Sequence, residues 1–235
     1  MRRFLRILGT FLALAGALTL VWALVVWQWQ DPFTALYTKW KQRQLSSQYN
    51  ELNRSFAGSI SHDSLSAERR SITLAAKRYR LGAKRGQALG RLRIPRMGVN
   101  MIFVNGTDHD TLKKGPGRDG RTFMPGESRL VYIAGHRTTY SAPFSDINAL
   151  RAGDRVTIEV PYGRFIYSVT RHRIVTATDL SVLRSPRHEL LELQACHPRF
   201  FASHRYIAYA RLARVEPRGG TPYAPARVGA QASDR

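Results

Sequence analysis

Residues 155–169 read RVTIEVPYGRFIYSV. Val156, Ile158 and Val160 alternate with Arg155, Thr157 and Glu159; after Pro161-Tyr162-Gly163, Phe165, Tyr167 and Val169 alternate with Arg164, Ile166 and Ser168. A period of two sends alternate side chains to opposite faces, and a Pro/Gly turn between two such runs predicts a β-hairpin with one buried face. The same reading outward predicts strands at 91–95, 99–105, 129–134, 173–178, 190–195 and 206–213. Short helical turns are expected at 111–114 and 144–150. Seven or eight short strands with few long helices predict a mainly β domain, a closed barrel or sandwich of roughly 130 residues, over 88–216.

Upstream, the period lengthens. Arg2, Arg3 and Arg6 precede an uncharged apolar run from Ile7 to Trp27. It has the roughly 20 residues that a helix needs to cross about 30 Å of hydrocarbon. The run ends in Trp22, Trp27 and Trp29 rather than in a small-x-small cleavage site, so residues 1–30 are expected to be a cytoplasmic stub and an uncleaved signal anchor. The arginines before the span predict an inside N-terminus, with everything from Gln30 onward outside. Residues 31–87 read as a helical stalk or linker. Asp31 is a candidate N-cap, Pro32 a first helical residue, and Leu45, Tyr49, Leu52 and Phe56 recur at helical spacing before Gly58. That face is expected to lie on the membrane or on the folded domain. A second helix is expected from Ala67 to Leu81, with Ile72, Ala75, Ala76 and Tyr79 on one side and Gly82 as its stop. Residues 217–235 are rich in Gly, Pro, Ala and Arg and lack periodic apolar positions, which predicts a disordered tail.

The formal net charge is +21, carried by 31 arginines and only six lysines. Such a surface attracts any polyanion, so it sets the sign of a partner more than its identity. Neither a zinc finger, an aromatic RNA-binding strand nor a phosphate-cradling glycine loop accompanies it, and no nucleic-acid partner is expected. One cysteine and scattered histidines offer no metal-ligand spacing. No cofactor is expected either.

That cysteine, Cys196, ends an apolar alternating run in LLELQACHPRFFASHR, residues 190–205. Outside the cell a lone thiol is a buried inert sulfur, an intermolecular crosslink or a nucleophile. The last role needs a base and a charge stabiliser, and His136, in LVYIAGHRTTYSAPF, and Arg205 stand at the ends of other predicted strands. Sites on β scaffolds usually lie at such ends. His62, His109, His172, His188, His197 and His204 compete with His136 as bases. His197 adjoins the cysteine, but strand neighbours point to opposite faces.

The run GPGRDGRTFMPGESRLVYIAGHRTTYSAPFSDINALRAGDRVTIEV, followed by LLELQACHPRFFASHRYIAYARL, resembles the sortases, the membrane-anchored cysteine transpeptidases of Gram-positive bacteria, and most of all their class E. The likeness covers about 89–212 and implies a sortase-like closed β-barrel of about eight strands. It also implies catalytic roles for His136, Cys196 and Arg205. The family's Thr-Leu-x-Thr-Cys is Glu192-Leu193-Gln194-Ala195-Cys196 here, with both threonines replaced.

On that resemblance Cys196 attacks the threonine carbonyl of a Leu-Pro-x-Thr-Gly or Leu-Ala-x-Thr-Gly sorting signal. Arg205 and a protonated His136 stabilise charge, and the resulting thioester passes to an amine of a peptidoglycan precursor. The implied partners are surface proteins bearing a C-terminal sorting signal, the wall precursor and the membrane. Housekeeping anchoring rather than pilus assembly is expected. Two alternatives come from other classes. An L,D-transpeptidase would carry Ser/Arg-x-Gly before its cysteine, where Leu193-Gln194-Ala195 stands, and a papain-like enzyme would place its histidine after the cysteine. A non-enzymatic, membrane-tethered basic protein would bind wall polymer by charge alone, in a salt-sensitive way indifferent to Cys196→Ala.

Overall fold

The computed structural model describes residues 2–29, 32–58 and 60–225. Of the expected tail, residues 226–235 lie outside the described residues. Eight strands close a barrel in the order β1-β2-β3-β4-β7-β8-β6-β5. They are β1 (Ala88–Ile94), β2 (Val99–Asn105), β3 (Gly117–Arg118), β4 (Leu130–Ala134), β5 (Arg155–Val160), β6 (Gly163–Thr176), β7 (Leu190–His197) and β8 (His204–Pro217). Most neighbours are antiparallel, but β2 pairs with β3, and β4 with β7, in parallel.

The 155–169 hairpin forms as β5 and β6, paired from Arg155↔Ser168 to Val160↔Gly163. Val156, Ile158, Phe165, Tyr167 and Val169 are buried in the barrel interior with Leu191, Leu193, Ala195 and Ala208. The strands expected at 164–169 and 173–178 are one long strand. A bulge between Val169 and Arg171 shifts its register against β8, reversing which residues face inward and disguising the continuity in the alternation. Two-residue β3 has no period to read.

A second apolar cluster covers the outer face where β4, β7, β8 and β6 run side by side. It contains Tyr132, Ala134, Val175, Ile207 and Tyr209, and Val182 of the turn Leu180–Leu183 packs over it. The expected helical turns appear as a short helix at His109–Leu112 and as a 3₁₀ turn at Ile147–Ala149.

Three long helices precede the barrel: α1 (Arg2–Trp29), α2 (Pro32–Ser55) and α3 (Leu65–Gly82); the short α4 (His109–Leu112) follows β2. Residues 2–25 of α1 form one stretch long and apolar enough to cross a membrane, with none of it buried against protein. In α3, Ser64 caps the first turn by accepting from Ala67 N at 3.1 Å, and Ile72 and Ala76 enter the barrel's core cluster. α2 lies along the outside of β1 and β2. Its Leu45 and Tyr49 pack on Ala88, Ile102 and Val104, while the Gln42 side chain accepts from Ile102 N at 2.7 Å and donates to Ile102 O and Lys114 O at 2.8 Å each. Beyond β8, Tyr223 returns to Val215 through two backbone hydrogen bonds of 2.9 Å.

Candidate active site

β7 supplies the cysteine. Leu191, Leu193 and Ala195 are fully buried in the barrel, so Glu192, Gln194 and Cys196 take the outer face. Residues paired across neighbouring strands share a face. Cys196 pairs with Arg205 of β8, which therefore stands beside it on the outside. On the other flank β4 runs parallel to β7 in register up to Ala134↔Gln194, and Gly135 N donates to Gln194 O at 2.9 Å. His136, two residues past the last pair, thus continues the outer-face series Tyr132, Ala134 at the level of Cys196. β7 and β8 therefore set a sulfur and a guanidinium side by side, and the segment that leaves β4 carries an imidazole at the same end of the barrel.

Local packing explains the residues around them. Gly135 lies against Phe144, where a Cβ would come within 2.8 Å of the ring, and Phe144 N donates back to His136 O at 3.0 Å. The His136 ring sits 5.2 Å from that of Tyr140 and 6.5 Å, edge on, from that of His109 at the start of α4. Its Nε2 is buried and makes no hydrogen bond among the described residues. Burial first, then His109 and Lys113, lower its pKa below the ordinary 6.5, so the neutral imidazole is favoured at rest.

Cys196 is half-buried, and no hydrogen bond joins it to His136 among the described residues. Arg205 uses Nη1 to hold the loop between β7 and β8, donating to Ala202 O at 2.7 Å and to His204 O at 3.0 Å. Its positive charge extends to Tyr132 on the same face.

Several residues that the sequence did not single out complete the arrangement. Arg137 is buried and donates to Cys196 O at 3.2 Å, His197 Nδ1 at 2.9 Å and Asn148 Oδ1 at 2.8 Å, tying the histidine loop to the cysteine strand. His197 turns to the opposite face, against Tyr206, as strand alternation requires. Tyr140, Ser141 and Ala142 have φ of 53°, 61° and 37°, three consecutive left-handed residues without a glycine. α2 steadies them: Tyr140 N donates to Thr34 Oγ1 at 3.0 Å, Ser141 Oγ donates to Ala35 O at 3.3 Å, and the Tyr37 ring lies 6.4 Å from that of Tyr140.

The two replaced family threonines part company. Ala195 points into the barrel core, whereas Glu192 is 3% exposed on the outer face, four residues before the cysteine, paired with Tyr132 on one side and Tyr209 on the other. Its Oε2 has no hydrogen-bond partner among the described residues. Burial raises its pKa to about 8 against the opposing pull of Arg171 and Arg173.

Chemically, a thiol flanked by a desolvated imidazole and a fixed cation suits nucleophilic attack on a carbonyl, with a proton acceptor on one side and a stabiliser of negative charge on the other. Residues 92–213 match the family model described as "Sortase domain". Sortase D of Bacillus subtilis (strain 168) is 34% identical over 131 residues, 54% of this chain and 64% of that protein. Sortase SrtE1 of Streptomyces coelicolor is 30% identical over 149 residues, 57% of this chain and 42% of that protein. The chain thus spans less than two thirds of the length of each. A crystal structure of sortase E1 from Streptomyces coelicolor with a tripeptide in the active site superimposes with a TM-score of 0.53 at 28% identity, covering 57% of this chain and 93% of that one. With half of its length matched by the family model and the same barrel carrying the cysteine block, the chain belongs to the sortase family.

Proposed function

We propose that the protein is a membrane-anchored cysteine transpeptidase acting on a Leu-Ala-x-Thr-Gly or Leu-Pro-x-Thr-Gly sorting signal, of the class E housekeeping type. What supports this is the register: Cys196 of β7 pairs with Arg205 of β8, and His136, two residues past the end of β4, stands at the level of Cys196. The imidazole rests neutral, so it takes the thiol proton as sulfur attacks the threonine carbonyl. Charge moves to the carbonyl oxygen, where a donor such as Arg205 is typically worth about 3 kcal/mol. The threonine–glycine C–N bond breaks, the new C–S bond remains as a thioester, and His136 returns its proton to the departing glycine amine. An amine of a peptidoglycan precursor then attacks the thioester, gives a proton to His136 and leaves with the acyl group, and the thiol is restored. Behind the cysteine, Ala134, Ile207, Val175 and Val182 form an apolar floor suited to the residues before the threonine.

α1 serves as the anchor, with Arg2, Arg3 and Arg6 holding the N-terminus inside and the barrel outside. Partners are surface proteins carrying the signal and the wall precursor. The test uses the full chain in detergent with labelled peptides of both kinds. A mass increase on Cys196 equal to the acyl fragment, released by an added amine and absent in Cys196→Ala, is expected. If neither peptide leaves an adduct, the transpeptidase reading gives way to that of a non-catalytic wall-binding protein.

A further inference from the structure

The end of the barrel that carries Cys196 is the end to which the anchor leads. α1 closes at Trp29, and Thr34, five residues on, already accepts from Tyr140 N in the loop after His136. An extended chain advances at most about 3.6 Å per residue, so that loop lies within roughly 18 Å of the end of α1 whatever path residues 30 and 31 take. α2 then runs to the opposite end of the barrel, where Asn53 O accepts from Arg218 Nη1 at 2.7 Å. Asn53 lies nineteen helical steps beyond Thr34, about 29 Å at roughly 1.5 Å each, so the far end stands well away from the anchor.

Around the near end the surface is apolar where water should meet it. Phe200 and Phe201, adjacent on the loop between β7 and β8, are 65% and 81% exposed. On α2, Leu36 and Trp40 are 68% and 51% exposed, with the Lys41 ammonium 4.2 Å over the Trp40 ring and Lys39 exposed beside it. Both groups border the histidine loop, α2 through Thr34 and Ala35, and the other loop through Arg199, which donates to Ser145 O at 2.7 Å and Asp146 Oδ1 at 2.9 Å. Exposed aromatic and aliphatic side chains with lysines among them match the boundary between lipid headgroups and acyl chains.

Resting on the anchoring part of the proposed function, we infer that this rim docks on the bilayer, with Phe200 and Phe201 entering the interface and Lys39 and Lys41 meeting anionic headgroups. The tether decides the occupant. Lipid is the surface within reach in every anchored molecule, and a net charge of +21 favours an anionic bilayer while opposing the approach of a second copy. The cysteine then opens at the membrane surface rather than towards the outer wall.

The experiment uses the full chain in nanodiscs of phosphatidylcholine and phosphatidylglycerol, with 4-fluorophenylalanine replacing Phe201. The ¹⁹F signal is expected to broaden severalfold with lipid spin-labelled near the headgroup and to be shielded from a soluble gadolinium chelate. Broadening by the lipid label is expected to weaken in Lys39→Gln/Lys41→Gln and in discs of phosphatidylcholine alone. Full broadening by the chelate with none from the lipid label overturns the proposal, as does shielding that appears only with two copies per disc. Because the readout needs no acyl transfer and is repeated in Cys196→Ala, its failure leaves the transpeptidase reading standing; failure of the chain to enter the discs instead overturns the anchor.

Discussion

His136 works under constraint: its ring is partly buried with Nε2 shut off from water, and its neighbours His109 and Lys113 oppose a positive charge on it. A base whose pKa is held below its ordinary value stays neutral until the pH falls through that lowered value. The acid limb of kcat/KM on a labelled sorting peptide is therefore expected below pH 6.5. Removing the repulsion in His109→Gln should move the limb upward, and Lys113→Gln should do so by less; a limb that stays put would separate it from this imidazole. Glu192 poses the opposite case, a carboxyl kept neutral by burial with its pKa raised to about 8. The unfolded chain ionises from about 4.5 upward and the folded one does not, so stability is lost between about 4.5 and about 8. Glu192→Thr should leave the thermal midpoint of the barrel almost unchanged at the acid end and raise stability by on the order of 3 kcal/mol at the alkaline end. The sequence marked Glu192 and Ala195 equally as departures from the family. Strand parity separates them, since one faces the outer groove and the other the core; the alternation of Leu191, Leu193 and Ala195 already marks the buried side, while the partners of Glu192, Tyr132 and Tyr209, emerge only once β7 has neighbours.

Among the elements, α2 shows where pattern reading stops. The spacing of Leu45, Tyr49, Leu52 and Phe56 announces a helix with one apolar face, and Leu45 and Tyr49 are indeed buried. Gln42 carries no such signal, because its importance comes from backbone groups that β2 leaves unpaired on that side. Gln42→Ala strips partners from Ile102 N, Ile102 O and Lys114 O, and is expected to cost about 2 kcal/mol. The measurements are the thermal midpoint and the hydrogen exchange of the Ile102 amide, which should quicken before the remainder of β2. The β5–β6 hairpin was fully legible because its period of two is unbroken, whereas the bulge at Val169/Arg171 made one strand read as two. Arg137 stayed hidden for another reason. In a chain with 31 arginines, no single one stands out until its hydrogen bonds to Ser145, Cys196, His197 and Asn148 are seen.

At the scale of the molecule, the order of strands does what no motif could. His136 and Cys196 are sixty residues apart in the chain, yet β4 and β7 are immediate neighbours, and a parallel pairing brings both strand ends to the same rim. Sequence spacing is blind to such a crossover, so the fold class could be read while the convergence of the site could not. The closure of the sheet has a consequence of its own. Every strand has a neighbour on both sides among the described residues, and where the short β3 leaves Ile102 of β2 uncovered Gln42 takes its backbone groups, so little free edge is left for an extended peptide to join by backbone hydrogen bonds. If a peptide docks on this face, its side chains and the turn that carries Val182 are expected to select it. Copies of this chain crowded together likewise find few open ladders through which to template aggregation.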